Sequence, residues 1–232
     1  MKAVVLLSGG LDSAVCAALA VNEHAGVNVH AVSFRYGQKH TKELEAAQDI
    51  YLALGLSEHH IIDVPDVFSG AGSTLIDKDT EMPEMTYEEL SKALGVSPTY
   101  VPFRNGTFLS LATAFALTAK ANLLYYGAHA EDSRNWAYPD CTPEFNGSMA
   151  AAIYVGTYHE VRLVTPLQWM MKKDIVRLGL DLDVPFHLTW SCYNGRGRAC
   201  GKCPTCVERI QAFRDNCLSD PIPYEIDIDW RS

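Results

Sequence analysis

The amino-acid sequence predicts an α/β fold: a parallel β-sheet flanked by helices, followed by a small metal-binding segment at the C-terminus. Three observations support this fold class. Strand-like and helix-like segments alternate along most of the 232 residues, as they do in parallel sheets with right-handed crossovers. The first strand-like segment, 2–8, is almost entirely apolar, as strands buried on both faces are. Four of the seven cysteines fall within fifteen residues near the end of the chain.

The predicted elements follow one another in a regular order. Strands are expected at 2–8, 27–36, 59–64, 123–129 and 161–167, and helices at 11–25, 39–55, 106–122 and 143–157. The second of these helices is amphipathic and ends at Gly55. The third is apolar on almost every side, which predicts deep burial.

The alternation is interrupted between residues 65 and 100, where Gly, Ser, Pro and acidic residues dominate. One short helix is expected there, at 86–95. Long loops without regular structure often cover binding sites, so this insertion is either a partly mobile lid or a loop of little consequence. We expect an α/β domain over 1–185 that carries the insertion at about 65–100, and a metal-binding segment over 186–232.

Composition excludes some classes of function. The formal net charge is −9, which argues against a protein whose main task is to grip nucleic acid, because phosphate binding needs an excess of Lys and Arg. The sequence shows no apolar stretch of membrane-spanning length and no signal-peptide pattern. We therefore expect a cytoplasmic protein with neither nucleic acid nor membrane as a partner.

The turn between the first strand and the first helix has the composition of an anion site. It reads Ser8, Gly9, Gly10, Leu11, Asp12, Ser13. Ligands of parallel sheets bind beyond the carboxyl ends of the strands, and a helix N-terminus favours phosphate. The glycines allow close approach of the backbone, the hydroxyls add donors, and the carboxylate suits the Mg²⁺ that accompanies ATP. The pattern is neither a P-loop nor a dinucleotide turn; a turn whose side chains only cap the helix is the alternative.

The clustered cysteines predict a metal centre. Gaps of seven, two and two residues separate Cys192, Cys200, Cys203 and Cys206. Four thiolates suit a tetrahedral, structural Zn²⁺, while an iron–sulfur cluster and free thiols remain as alternatives. Cys16 and Cys217 are expected to be buried apolar residues.

Further polar residues stand at predicted strand ends. Arg104 and Asn105 precede the apolar helix, where Arg104 offers a planar fork for a carboxylate or else caps the turn. A second group follows the fourth strand and would accept N–H groups of a flat purine-like ring; it comprises Glu131, Asp132, Tyr138 and Asp140. For Asp140 a helix cap before 143–157 is the alternative reading.

Two basic residues precede the second helix. Lys39 is expected to neutralise developing phosphate charge, and His40 is either a contact to ATP or substrate or a structural histidine. The other histidines, including His59 and His60, have no partner at metal-ligand spacing in the sequence and receive no role.

The turn Ser8 to Ser13 resembles the pyrophosphate-binding loop of the ATP pyrophosphatase (PP-loop) superfamily, whose fold is Rossmann-like (adenine nucleotide alpha hydrolase-like). That resemblance implies ATP contacts from Leu7 through Ser13 and from Phe34, Gln38 and His40. It also implies a catalytic set made of Asp12, Ser13, Lys39 and Arg104.

Five motifs in order, SGGLDS, YGQKH, VPFRN, YPDC and LTWSCYNG…CGKCPTC, resemble the 7-cyano-7-deazaguanine synthase (QueC) family from residue 3 to about 217. The resemblance implies a homodimeric ligase with one structural zinc per subunit on the four cysteines, and Mg²⁺ bound with ATP. Such enzymes convert 7-carboxy-7-deazaguanine and ammonia to the nitrile through an acyl adenylate and an amide. Arg104, Asn105, Glu131, Asp132, Tyr138 and Asp140 would then contact the base.

Three other functions remain open from the sequence. A QueC-like ligase would stop at the amide or join the activated deazaguanine to another amine, including one on a protein. A tRNA thiolase of the same superfamily would need a basic face, which the charge of −9 disfavours. A non-catalytic zinc-ribbon module would have no use for the three polar residues of the turn.

Overall fold

The computed structural model describes residues 1–39, 41–76, 96–194 and 197–231. The α/β fold class is confirmed within these ranges. Five strands form one sheet in the order β3-β2-β1-β4-β5, and every neighbouring pair is parallel. The strands are β1 (Ala3–Leu6), β2 (Val29–Arg35), β3 (Glu58–Asp63), β4 (Leu123–Tyr125) and β5 (Arg162–Val164). The predicted helix 86–95 and His40 lie outside the described residues.

Seven α-helices accompany the sheet in the described ranges. They are α1 (Leu11–His24), α2 (Lys42–Ala53), α3 (Arg104–Thr118), α4 (Ala130–Ser133), α5 (Pro143–Gly156), α6 (Lys172–Asp181) and α7 (Pro204–Arg214). The sequence analysis predicted the first three and α5, but not α4, α6 or α7. None of the described helices has the length and apolar character that crossing a membrane requires.

The strand alternation divides the core into two layers. In β1, Val4 and Leu6 pack with α3 and α5 on one face, while Ala3 and Val5 pack with α1 and α6 on the other. This is the period of two that side chains follow along a strand. Because helices cover both faces, the strand is apolar throughout, as predicted.

The fourth strand ends four residues earlier than predicted. After Tyr125 one more backbone bond, from Tyr126 N–H to the Val164 carbonyl at 2.9 Å, extends the ladder. At Gly127 the chain passes so close to the first turn that a Cβ would lie 3.3 Å from the Asp12 carbonyl oxygen. The close passage against α1, rather than sheet pairing, decides the path there.

The prediction that 106–122 is buried on every side is wrong for this single chain. Phe108, Leu109 and Ala112 face the sheet, but Leu117 is 39% exposed. A sheet covers a helix on one side only, so the outer side chains of α3 reach the surface.

The C-terminal segment has a small core of its own that includes the four cysteines. A buried ion pair holds the segment together: Arg209 on α7 donates to Asp220 at 2.6 and 2.9 Å and to the Phe186 carbonyl at 3.1 Å. Tyr224 Oη also donates to Asp220 at 2.6 Å. Cys217, expected to be buried, is exposed just beyond α7, whereas Cys16 is buried as predicted.

Candidate active site and metal centre

The turn from Ser8 to Ser13 lies at the carboxyl end of β1, in the centre of the sheet. Gly9 adopts φ +87°, and a Cβ there would lie 2.1 Å from the Glu43 carbonyl oxygen on α2. The Trp190 N–H donates to the Gly9 carbonyl at 2.8 Å. The turn is therefore clamped between α2 and the segment that precedes the cysteines.

The two serines hold the turn in shape. Ser13 Oγ accepts from the Ser8 N–H at 3.2 Å and from Ser8 Oγ at 3.0 Å, and donates to the Gly10 carbonyl at 3.0 Å. The first N–H groups of a helix have no partner inside it. Those of Leu11, Asp12 and Ser13 at the start of α1 are therefore a suitable cradle for phosphate oxygens.

Asp12 belongs to a buried group of charges beneath the turn. Its Oδ2 lies 3.4 Å from Lys172 Nζ and 3.6 Å from His129 Nε2. Burial by itself would raise the pKa of Asp12, but Lys172 and His129 outweigh it and hold that pKa well below its usual range. Its other oxygen, Oδ1, is buried and has no hydrogen-bond partner in the described part of the chain.

The partners of Asp12 are themselves paired with acidic residues. His129 Nε2 lies 3.2 Å from Asp132, and Lys172 Nζ lies 3.5 Å from Glu208. Burial would lower the pKa of His129, but Asp132 and Asp12 raise it to about 9. His129 therefore carries a positive charge near neutral pH, and the turn sits on a pre-organised network of charges.

A cavity opens beside the turn at the carboxyl ends of β1, β2 and β4. Eleven of the predicted site residues line it: Leu7, Ser8, Asp12, Ser13, Phe34, Gln38, Lys39, Arg104, Asn105, Asp132 and Tyr138. Their roles stay predictions, but the structure brings them to one place. His40 lies outside the described residues.

Glu131 and Asp140, predicted to bind the base, are not among the residues that line this cavity. Glu131 accepts from the Lys172 N–H at 2.7 Å, at the start of α6. Asp140 is 2% exposed and accepts from the Asn105 N–H at 2.9 Å, so it caps α3. The cap before α5 is instead Thr142. A substrate contact from either carboxylate stays a prediction.

Arg104 presents a buried guanidinium to the cavity. Its Nη1 donates to Tyr36 Oη at 3.1 Å, while its buried Nε has no hydrogen-bond partner among the residues that the structure describes. None of the described carboxylates forms an ion pair with it. An unpaired buried charge is costly, so this side chain is set up to receive an anion.

Glu43 and two aromatic residues complete the cavity walls. Burial raises the pKa of Glu43 to about 7, against the opposing effect of Arg104. Phe34 stacks on Phe108 with 4.2 Å between ring centroids. Gln38 folds back over the end of β2, accepting from the Tyr36 N–H at 2.8 Å.

The four cysteine sulfurs converge on one point. All four Sγ atoms lie within 4.8 Å of one another, and those of Cys200 and Cys206 are 4.0 Å apart. A tetrahedral zinc with bonds of about 2.3 Å separates its sulfurs by about 3.8 Å. The N–H groups of Cys200 and Cys203 point at neighbouring sulfurs, at 3.3 Å each, as thiolates require. The cluster therefore fits a structural zinc site.

The cysteine segment also reaches the cavity. Tyr193, next to Cys192, is one of the lining residues. Trp190 bonds to the turn at Gly9, and Lys42 of α2 lies 3.4 Å above the Trp190 ring centroid. A change in the cysteine cluster would thus reach the wall of the cavity.

Sequence reasoning missed several residues of this site. Tyr36, Glu43, His129, Lys172 and Tyr193 all contact the turn, its charge network or the cavity. Tyr36 and Tyr193 stand within quoted motifs and His129 ends the predicted fourth strand, which was a usable signal. Lys172 had no such signal, because its partner Asp12 is 160 positions away in the chain.

Comparison with known proteins gives matches along nearly the whole chain. The family model described as "Queuosine biosynthesis protein QueC" matches residues 2–217. A 7-cyano-7-deazaguanine synthase of Caldicellulosiruptor saccharolyticus is 45% identical over 230 residues, which cover 99% of this chain and 98% of that protein. The enzymes so named from Pseudoalteromonas atlantica and Thermoplasma acidophilum are 42% and 41% identical, over 97% of this chain and 99% and 92% of theirs.

Solved structures give a weaker likeness. An NMN synthetase from Francisella tularensis superposes with a TM-score of 0.45 at 19% identity, covering 82% of this chain and 65% of that one. At these values the likeness carries no argument about this chain.

Proposed function

Because the chain belongs to the QueC family of queuosine biosynthesis proteins, we propose that it makes 7-cyano-7-deazaguanine from 7-carboxy-7-deazaguanine, ammonia and ATP. It is a ligase that forms carbon–nitrogen bonds. Two ATP molecules are consumed, each giving AMP and pyrophosphate. The first adenylates the carboxylate and ammonia displaces AMP to leave an amide. The second activates the amide oxygen, and loss of AMP with two protons leaves the nitrile.

The observation that carries this proposal is Arg104. A buried guanidinium with an unpaired Nε lines the same cavity as the phosphate-type turn at Ser8 and Ser13. The substrate of the first step is a carboxylate that must meet the α-phosphate of ATP. Arg104 would neutralise and orient that carboxylate, which is how binding energy lowers the barrier of a bimolecular step.

The turn and its charge network suit ATP. The N–H groups at the start of α1 would hold pyrophosphate oxygens as they develop charge. Asp12 Oδ1, buried and without a hydrogen bond to the described residues, fits the single carboxylate ligand through which Mg²⁺ is often held, with phosphates and water completing its shell. Mg²⁺ there would neutralise the leaving pyrophosphate.

Glu43 is our candidate for the base that releases ammonia from ammonium. It lines the cavity, and burial raises its pKa to about 7, which is near the pH at which a general base is most effective. The ionised carboxylate accepts a proton from ammonium beside the carbonyl carbon of the acyl adenylate. The protonated carboxyl group then returns that proton to solvent. A Glu43→Gln variant should lose activity and also lose the rise of kcat/KM with pH near 7.

Zinc would be held by Cys192, Cys200, Cys203 and Cys206 with all four positions filled by protein. Its contribution is to fold the segment that carries Trp190, not to take part in the reaction. Thiolate ligands need a reducing compartment, which supports our expectation that the protein works in the cytoplasm.

We also propose a homodimer. Within one chain, Phe103 is 58% exposed and Leu117 39% exposed at opposite ends of α3. Apolar side chains along one helix are what a second copy would cover. Sedimentation equilibrium of the whole chain tests this, and a monomer at micromolar concentration would refute it.

The experiment that tests the function is isotope transfer. The protein, with Zn²⁺ and Mg²⁺, is incubated with ATP, ammonium and 7-carboxy-7-deazaguanine that carries ¹⁸O in both carboxyl oxygens. We expect the nitrile mass and two AMP molecules per product, each with one ¹⁸O. A product stopped at the amide, with one labelled AMP, would instead identify the alternative ligase.

Two variants connect the result to the site. Arg104→Lys keeps the charge but loses the planar fork, so kcat/KM for the base should fall about 10- to 100-fold, as for a lost hydrogen bond to a charged group. Arg214→Lys on the surface of α7 is the matched control and should leave kcat/KM unchanged. Equal activity of the two variants would remove Arg104 from the mechanism.

A further inference from the structure

Three potential metal ligands meet at the edge of the sheet that is opposite to the cavity. His30 lies near the amino end of β2, and Glu58 and His60 lie near the amino end of β3. His30 pairs with Glu58 in the parallel register, and His60 is two residues further along. Side chains two apart share a face. His60 has no partner at metal-ligand spacing along the sequence, but the fold brings His30 and Glu58 beside it.

The three side chains are close enough to share one ion. One ligand atom from each lies within 4.8 Å of the others. Glu58 Oε2 is 3.5 Å from His30 Nδ1 and 2.8 Å from His60 Nε2. Ligand atoms bonded at about 2.0–2.2 Å in a tetrahedral shell stand about 3.4 Å apart, so the His60 contact needs to lengthen only slightly.

His30 supplies an independent reason to expect a ligand. It is 7% exposed, and neither ring nitrogen has a hydrogen-bond partner among the described residues. A buried imidazole without a hydrogen bond is costly. Burial, opposed by Glu58, lowers the pKa of His30, with Lys2 adding to the decrease. The ring is therefore neutral near pH 7 and has a lone pair to offer.

The neighbourhood favours a metal over a bare ion pair. Phe115 of α3 packs on both rings, with centroids 6.3 Å from His30 and 4.5 Å from His60. An apolar wall orients the imidazoles on one side. Glu58 and His60 keep the other side open to solvent, with side-chain exposures of 59% and 41%, so that water can complete the shell.

We propose that His30, Glu58 and His60 form a second metal site, for Zn²⁺ or another borderline divalent transition ion, that is separate from the four cysteines. Two imidazoles and one carboxylate with an open position are a donor set that such ions favour and Mg²⁺ does not. The bound ion would fasten β3, the edge strand, to β2. Occupancy should raise the free energy of unfolding with the logarithm of the free metal concentration once that concentration exceeds the dissociation constant.

The test measures the second equivalent of metal on the zinc-loaded protein. Equilibrium dialysis against buffered Zn²⁺, followed by elemental analysis, should give two zinc ions per chain for the natural protein. The Glu58→Gln and His60→Ala variants should each retain one zinc ion and bind the second with a dissociation constant at least tenfold higher. His159→Asn removes an exposed histidine away from the cluster and should still bind two.

Cobalt identifies the ligands. Co²⁺ added to the zinc-loaded protein should give a visible spectrum without thiolate-to-metal charge transfer, and this spectrum should vanish in His60→Ala. Binding of only one zinc by the natural protein would overturn the proposal, as would an unchanged second equivalent in both variants. A thiolate band would also overturn it, because the cobalt would then have displaced zinc from the cysteines.

Discussion

Replacement of Gly9 by alanine tests the argument that the turn is shaped by close packing. Gly9 has φ +87°, and a Cβ there would lie 2.1 Å from the Glu43 carbonyl oxygen and 2.9 Å from the Ala47 nitrogen. Both atoms belong to the backbone of α2, so the turn and the helix must separate by roughly 1 Å, an overpacking that costs about 1–3 kcal/mol. The left-handed conformation adds about 1–2 kcal/mol.

Gly55→Ala separates the two contributions. Gly55 also has positive φ, +63°, but nothing lies within 4 Å of its added Cβ. We expect this control to lose about 1–2 kcal/mol in urea unfolding, and Gly9→Ala to lose about 2–5 kcal/mol. The displaced turn should also reduce kcat/KM for pyrophosphate release about 100-fold, whereas the control keeps the natural value.

The comparison has a clear refuting result. If Gly9→Ala and Gly55→Ala unfold at the same urea concentration and have equal kcat/KM, the close approach of α2 does not shape the turn. A stability loss without a kinetic loss would mean that the turn moves freely and is not the phosphate site.

The remaining predictions concern the metal segment and the buried charges. Cys203→Ser should lose the cysteine-bound zinc and unfold the segment that it holds, as measured by elemental analysis and by protease cleavage; a folded, active, metal-free variant would contradict this. Arg209→Met should cost about 3–5 kcal/mol, because it leaves Asp220 buried and unpaired; the double variant with Asp220→Leu should recover much of that loss, and no recovery would refute the pairing argument. The pKa of His129 is about 9 in the folded protein against 6.5 in the unfolded chain. Its contribution to the free energy of unfolding is therefore complete below pH 6.5 and disappears as the pH rises through 9. At about 1.4 kcal/mol per pKa unit this is up to about 3 kcal/mol; His129→Gln should flatten the fall in unfolding free energy between pH 7 and 10, and an unchanged fall would refute it.

Features encoded by neighbouring residues could be predicted from the sequence. The run 2–8 is a strand followed by a phosphate-type turn because apolar residues, two glycines and a helix start stand in direct succession. The cysteines at 200, 203 and 206 converge because short gaps leave the backbone few ways to separate them. The alternation of strands and helices implies a parallel sheet because each crossover is local and right-handed.

Burial on one face of a helix could not be predicted so well. The residues of 106–122 are apolar on nearly all sides. Composition does not show whether the sheet of the same chain or a second chain covers each side of such a helix. Asp140 likewise has the composition of a cap, but only the fold shows that it caps α3, 35 residues earlier in the chain.

Only the tertiary structure decided which distant charges and ligands meet. Asp12 meets Lys172, none of the described carboxylates pairs with Arg104, and His30 faces Glu58 on the neighbouring strand. Such pairs join positions with no fixed spacing, because sheet register and helix packing bring them together after the chain has folded. The sequence by itself therefore determined the fold class and the clustering of the four cysteines, and it predicted the anion turn. The tertiary structure alone determined the charge network beneath the turn and the second cluster of ligands, since their energies depend on burial and on distances across the fold.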